Sequence, residues 1–223
     1  MLKRNIIVLD LDGTLLDTLQ DLMNSVNYAL AQSGRPIRTL AEIRSFVGNG
    51  VRLLVERAIG ETLPEDAFQE IFQCFKQHYM KHCLDFTEPY NGIVPMLGRL
   101  RQMGCELAIV SNKLQPAVTE LCERFFADFI DVAVGESETV RRKPSPDSVF
   151  FAINQLGASA SQVVYVGDSE VDLQTARNAG VPCISVLWGF RDKAFLQENG
   201  ATIFAESPAD LPRLLESDLM TWE

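Results

Sequence analysis

Long apolar runs, a surplus of basic residues, paired cysteine spacings and internal repeats are all missing from this 223-residue sequence. No hydrophobic stretch approaches the roughly 18 residues that a membrane span needs, so no membrane partner is expected. The net charge of −10 and a pI near 4.8 are opposite to the basic face that a nucleic-acid partner favours. The same field repels an anionic small substrate, so holding one needs a local cation, from a metal or a few basic side chains. The cysteines, Cys74, Cys83, Cys105, Cys122 and Cys183, are odd in number and lack CxxC spacing. They read as thiols in a reducing cytosol rather than as a disulfide framework, and a cytoplasmic protein is expected. Met1-Leu2-Lys3-Arg4 precedes an apolar stretch that Asp10 and Asp12 cut short, so no export signal is read. With 47% hydrophobic and 22% charged residues, the chain suits one well-buried core plus an insertion, or two modest domains.

What is present centres on Asn5 to Thr18. Ile6, Ile7, Val8 and Leu9 lack polar alternation, as expected of a central parallel strand covered on both faces. That strand delivers Asp10 to the carboxyl edge of a sheet, where open α/β folds place their ligands. Asp12 follows, and Gly13 allows a sharp turn. Two such carboxylates are poor core material unless paired or bound to a metal.

Between about Asp17 and Phe86 the pattern is helical. A stripe of Leu22, Val26, Ala29 and Leu30 predicts a helix over 21–33, ended by Gly34. Thr39-Leu40-Ala41-Glu42 has capping-box spacing, and Gly48 and Gly50 break the pattern before a helix through 51–59. Pro64 suits a first helical turn, and Phe68, Ile71, Phe72, Phe75 and Tyr79 mark a long helix ending near Cys83. From Gly92 onward, helices alternate with short apolar runs at 105–110, 130–134, 163–166, 183–187 and 201–204. Helices are predicted at about 116–126, 146–156, 171–179 and 193–198. This alternation predicts an α/β fold, a Rossmann-like doubly wound parallel sheet. The Ile6 strand belongs to it, so residues 1–16 and 87–223 form the expected core and 17–86 an inserted all-helical domain.

Four places then fall at predicted strand ends: Asp10 with Asp12; Ser111-Asn112-Lys113; Lys143-Pro144-Ser145-Pro146-Asp147; and Gly167-Asp168-Ser169-Glu170-Val171-Asp172. Parallel strands end on one edge, so these groups can converge. Carboxylate oxygens are what hard Mg²⁺ asks for. Ser111, the amides beside Asn112, and Lys143 are what a phosphoryl group asks for. Each piece alone has a plainer reading: Ser111 or Asp168 as a helix cap, Asn112 in a turn, Lys143 as a solvated lysine, Asp172 as a first-turn acid. Four in order, each after a strand, favour a joint site.

Together they resemble the four motifs of the haloacid-dehalogenase superfamily, and the helical insertion is similar to that family's C1-type cap. The resemblance implies that Asp10 is the nucleophile. It makes Asp12 the residue that protonates the leaving group and then activates water, its carbonyl also binding the metal. It further implies that Ser111 and Asn112 hold the phosphoryl group, that Lys143 neutralises it, that Asp168 completes a Mg²⁺ site, and that Asp172 binds or steers the metal's waters. An aspartate at position 12 favours phosphatase or mutase chemistry over dehalogenation. Arg44 through Gly48, Asn49 and Gly50 most resembles the cap of phosphoglycolate phosphatases. Small residues there let amides approach a substrate and Arg44 can meet a carboxylate, although an interhelical turn beside an exposed arginine reads equally well.

The expected function is Mg²⁺-dependent hydrolysis of a small phosphorylated metabolite, foremost 2-phosphoglycolate, through an aspartyl-phosphate, by a monomer or homodimer. Within the superfamily a sugar-phosphate phosphomutase, a nucleotidase and a pyrophosphatase are the rivals. From another class, a phosphorylatable regulatory module also gathers aspartates and a lysine at a sheet edge. His78 and His82, four apart, read as half-buried or solvated histidines rather than zinc ligands. Trp188-Gly189-Phe190-Arg191 reads either as a border of the site or as a packing loop.

Overall fold

The computed structural model describes residues 4–48 and 50–217. The chain divides into two compact units, one of Met1–Leu15 with Pro89–Glu223 and one of Leu16–Glu88. In order, β1 (Ile6–Leu9) leads to the short β2 (Leu16–Asp17), then α1 (Leu19–Gln32), α2 (Leu40–Phe46), α3 (Val51–Ile59), α4 (Glu65–His82) and β3 (Glu88–Pro89). There follow α5 (Ile93–Gln102), β4 (Glu106–Leu114), α6 (Gln115–Phe126), β5 (Val132–Glu136), α7 (Asp147–Gln155), β6 (Val163–Gly167) and α8 (Glu170–Ala179). The described chain closes with β7 (Cys183–Val186), α9 (Lys193–Glu198), β8 (Phe204–Ala205) and α10 (Asp210–Glu216).

The larger unit is a parallel six-stranded sheet in the order β5-β4-β1-β6-β7-β8, flanked by helices, as the alternating pattern predicts. β1 lies inside it, with Val8 opposite Ala108 on one side and Tyr165 on the other. Its four side chains are at most 1% exposed, which is why the strand carries no polar alternation. Ile6 and Val8 share a core with Val110, Tyr165 and the inner faces of α7 and α8, through Val149, Ala152, Leu173 and Ala176. Strand order reverses around β1: the chain builds outward through β4 and β5, then returns to its other side with β6. Such a reversal opens a crevice at the strands' carboxyl ends.

Several boundaries differ from the pattern-based ones. The run at 130–134 becomes a strand only from Val132, because the Ile130 amide is committed to the Phe126 carbonyl closing α6. The run at 201–204 contributes only Phe204–Ala205. Pro64 is the residue before α4 rather than its first turn. β4 does not stop at Val110 but continues to Leu114, with a shift of register against β5 between Val110 and Leu114. Ser111-Asn112-Lys113 therefore occupies an irregular stretch within a strand, and such irregularities re-aim side chains. α5 and α10 pack on one another and carried no pattern strong enough to delimit them.

The smaller unit is a helical group in which α1 packs on α4. The predicted stripe of Leu22, Val26, Ala29 and Leu30 is buried, as are Phe68, Ile71, Phe75 and Tyr79, while Phe72 stays half-buried beneath the Lys76 ammonium. Thr39 and Glu42 form the expected capping box. His78 is half-buried, its Nδ1 3.0 Å from the Ser25 hydroxyl, and it stacks between Tyr28 and His82. Neither histidine belongs to a three-ligand metal cluster among the described residues. No helix among the described residues is long and apolar enough to cross a membrane.

One buried carboxylate closes this unit. Asp21, 1% exposed on α1, accepts from the amides of Phe86 and Thr87 and from the Thr87 hydroxyl at 2.8 to 3.1 Å. It ties the first turn of the insertion to its last residues. Asp21→Ala leaves those buried donors unmet and should lower stability by about 3 kcal/mol in urea unfolding; a loss below about 1 kcal/mol would show the clasp to be dispensable.

Candidate active site

β1, β4 and β6 end side by side, and each delivers polar residues to the crevice. Asp10 follows β1, its amide held by the Val166 carbonyl of β6 at 2.9 Å. Asp168 follows β6, and Asp172 stands on the first turn of α8. Oxygens of Asp10, Asp168 and Asp172 all lie within 4.8 Å of one another, and all three residues are buried. Three carboxylates so placed repel unless positive charge joins them.

Lys143 supplies one such charge. Its side chain is 4% exposed, and its Nζ donates to Asp10 Oδ1 at 2.7 Å, to Asp172 Oδ1 at 2.7 Å and to the Tyr165 hydroxyl at 3.0 Å. Asn112 fixes the lysine's backbone from both sides: its Oδ1 accepts from the Lys143 amide at 2.7 Å and its Nδ2 donates to the Lys143 carbonyl at 3.1 Å. The Asn112 side chain thus fastens the segment carrying Lys143. Ser111 is buried and accepts from the Lys113 amide at 3.2 Å.

The electrostatics follow from this crowding. Burial, reinforced by Asp172 and Asp168 and opposed by Lys143, pushes the Asp10 carboxyl well above the usual range. Burial, with Asp172 adding to it, pushes Asp168 up to about 7. Asp172 goes the other way: its burial is outweighed by Lys143, Ser169 and Tyr165, which hold it low. Burial acts to lower the Lys143 pKa, but Asp10 and Asp172 outweigh it and raise it.

Asp172 has little left to offer a cation. Its Oδ1 accepts from Lys143 and Tyr165, and its Oδ2 from the Ser169 amide and hydroxyl at 3.1 and 2.6 Å. Asp10 and Asp168 carry the raised pKa values and so the stronger demand for a cation; the set fits a hard divalent ion.

Asp168 is shaped by a loop that sequence alone leaves between two readings. The Phe190 amide donates to Asp168 Oδ2 at 2.6 Å, the Trp188 indole donates to the Thr14 carbonyl at 2.9 Å, and Arg191 pairs with Glu170 at 3.1 Å. A Cβ on Gly189 would overlap the Asp168 side chain and the Gly13 carbonyl. The loop both packs and borders the site. Tyr165 is the group beside these carboxylates that sequence reasoning did not single out.

Asp12 stands apart from the three carboxylates. It is part-exposed and paired with Lys113, whose Nζ lies 2.9 and 3.1 Å from its two oxygens. In the other unit, Arg44 is exposed on the last turn of α2, and Gly48 and Gly50 have φ of 125° and 83° at the turn into α3. Positive φ explains why glycine stands there. Asn49 lies outside the described residues.

The fold is a Rossmann-like α/β core, a parallel sheet flanked by helices, with acidic groups gathered at its strand ends. The chain belongs to the haloacid dehalogenase-like hydrolase family, whose sequence profile matches residues 7–186. It is 36% identical over 221 residues to a phosphoglycolate phosphatase of Pseudomonas syringae pv. syringae, covering 96% of this chain and 80% of that one. A phosphoglycolate phosphatase of Caulobacter vibrioides is 33% identical over 93% of this chain and 89% of its own. Among solved structures, a provisionally named phosphoglycolate phosphatase from Lactobacillus delbrueckii subsp. bulgaricus superposes with a TM-score of 0.91 at 37% identity, covering 96% and 99% of the two chains.

Two outcomes follow from the geometry around Asp168. In the folded state Asp10 and Asp168 hold protons above the ordinary carboxylate pKa, so a cation must displace protons there as pH falls toward and below about 7. The rise in Tm on adding Mg²⁺ should therefore be larger at pH 8 than at pH 5.5; a rise independent of pH would contradict this. Gly189→Ala should weaken Mg²⁺ binding about tenfold or more in calorimetric titration. Gly98→Ala, where a Cβ meets only Phe129 at 3.7 Å, should leave it unchanged.

Proposed function

We propose that the chain is a Mg²⁺-dependent phosphatase of small phosphorylated metabolites, foremost 2-phosphoglycolate, acting through a phosphorylated Asp10. The observation that carries this reading is the buried Lys143 ammonium, 2.7 Å from both Asp10 and Asp172, at the edge where a third carboxylate, Asp168, joins them. Membership in a hydrolase family and relatives that bear the name phosphoglycolate phosphatase support it.

A carboxylate is a weak nucleophile toward a phosphate dianion, so its attack depends on positive charge already in place. Lys143 is pre-positioned to supply it. Asp172, Tyr165 and Asn112 hold its ammonium and backbone, so little reorganisation accompanies charge transfer. Mg²⁺, held by Asp10, Asp168 and the Asp12 carbonyl, would supply Lewis acidity and neutralise phosphoryl charge. Ser111 and the amides beside Asn112 would hold the remaining phosphoryl oxygens. An Asp10 oxygen bonds to phosphorus as the ester P–O bond breaks, and Asp12 gives its proton to the departing oxygen. Asp12, now a carboxylate, takes a proton from water, whose oxygen attacks phosphorus and releases Asp10. Two modest steps replace one difficult one. The helical insertion, with Arg44, Gly48, Asn49 and Gly50 as its candidate contacts, would act as the cap that selects the substrate.

The test is phosphate release, with and without Mg²⁺, across 2-phosphoglycolate, sugar phosphates, nucleoside monophosphates and pyrophosphate. Mg²⁺-dependent turnover led by 2-phosphoglycolate is expected, and Asp10→Asn should abolish it while leaving the melting profile intact. Substantial activity in that variant would remove Asp10 from the role of nucleophile, and a lead by another class would move the substrate to that class.

A further inference from the structure

The edge of the sheet opposite the candidate active site also carries a cavity. Where β6 and β7 begin, a pocket of about 380 Å³ is bordered by Arg4, just ahead of β1, and by the last turn of α8. Leu173, Ala176, Val181 and Cys183 are buried and give it an apolar floor, while Arg4 and Arg177 line it with guanidinium groups. No acidic side chain is among its lining residues. Both arginines have structural duties. Arg4 Nη1 donates to the Ser161 and Val163 carbonyls at 3.1 and 3.2 Å, and Arg177 Nη2 donates to the Asn199 carbonyl at 2.7 Å. Those bonds occupy one nitrogen of each group. Neither arginine forms an ion pair among the described residues, in a chain with 30 acidic against 20 basic residues. The carbonyls at the nearby helix ends are taken by backbone amides, those of Ala176 and Arg177 by Val181 and Gly180, those of Leu196 and Gln197 by Ala201 and Gly200. What the lining leaves to be met is donor capacity and positive charge beside an apolar surface.

We propose that this cavity is a binding site for a small organic anion, a carboxylate joined to an apolar body, separate from the crevice at the strands' carboxyl ends. A guanidinium holds its N–H donors in a planar fork that matches a carboxylate through two parallel bonds. Nε and Nη2 of Arg4 and Nε and Nη1 of Arg177 are left for such a group once the backbone bonds are made. The floor gains from being covered by an apolar body, whereas a bare inorganic anion leaves it wet. The volume is that of a small-molecule site. Because the net charge of −10 repels an anion at a distance, recognition depends on these two cations at contact range. α8 separates the two places: Asp172 stands on its first turn and Arg177 on its last, ten residues making up the helix. That helix is about 15 Å long, so a ligand in the cavity leaves the crevice open.

The experiment titrates the isotope-labelled protein with phenylacetate, with its neutral isostere phenylacetamide and with inorganic phosphate, following backbone amides by NMR. Phenylacetate should shift the amides of Ala176, Gly180, Cys183 and Thr202, which line the cavity, and leave those of Asp10 and Gly167 in place. Phenylacetamide and phosphate should each bind the cavity at least about tenfold more weakly. Arg4→Met and Arg177→Met should each weaken phenylacetate about tenfold, and Asp10→Asn should bind it as the wild type does. Equal binding of the acid and the amide overturns the proposal, and so does phosphate that matches the acid at the cavity. Shifts centred on the crevice, or an affinity unchanged in both arginine variants, overturn it as well; arginines with only structural duties would give that last result. If neither variant folds, the wild type decides: cavity shifts with phenylacetate that phenylacetamide does not reproduce sustain the site, and their absence removes it.

Discussion

The structure depends on one buried ammonium. Lys143 sits between Asp10 and Asp172 with the Tyr165 hydroxyl beside it, and without that charge three carboxylates could not crowd the end of the sheet. A single positive charge does not satisfy all three. Lys143 lies equally close to Asp10 and Asp172, but Asp172 has three further donors, the Tyr165 hydroxyl and the Ser169 amide and hydroxyl, so Asp10 and Asp168 remain electrostatically unsatisfied. The fold thus stores an attraction for positive charge in the two side chains nearest the strand ends.

Much of this was legible in the chain itself. An unbroken apolar run announces a strand buried on both faces, and acidic residues directly after it can only lie at its end. The same logic located Asp168 and brought Lys143 into the group. The helical insertion was legible from period alone, because its stripes at Leu22 to Leu30 and Phe68 to Tyr79 face a dry interior.

What escaped has a common physical cause. Tyr165 lies in the apolar run Val163–Gly167, where a phenol reads as core, and only the sheet register puts its hydroxyl beside Lys143 and Asp172. The Phe190 amide is backbone, and backbone donors leave no mark in a sequence. Asn112 was visible as a polar residue at a strand end, but its partner is the main chain of Lys143, 31 positions away. Lys113 faces Asp12 because β4 runs on past Val110 with a register shift, and no residue type signals that irregularity.

The Asp21 clasp has a consequence for how such a chain is assembled. Because the short strands Leu16–Asp17 and Glu88–Pro89 pair, and Asp21 gathers the amides of Phe86 and Thr87, the two ends of a seventy-residue excursion meet as closely as those of a hairpin. The cost of closing a loop grows only slowly with its length. With its ends pinned, a segment of another length or sequence can run between the same two points at little added cost in chain entropy.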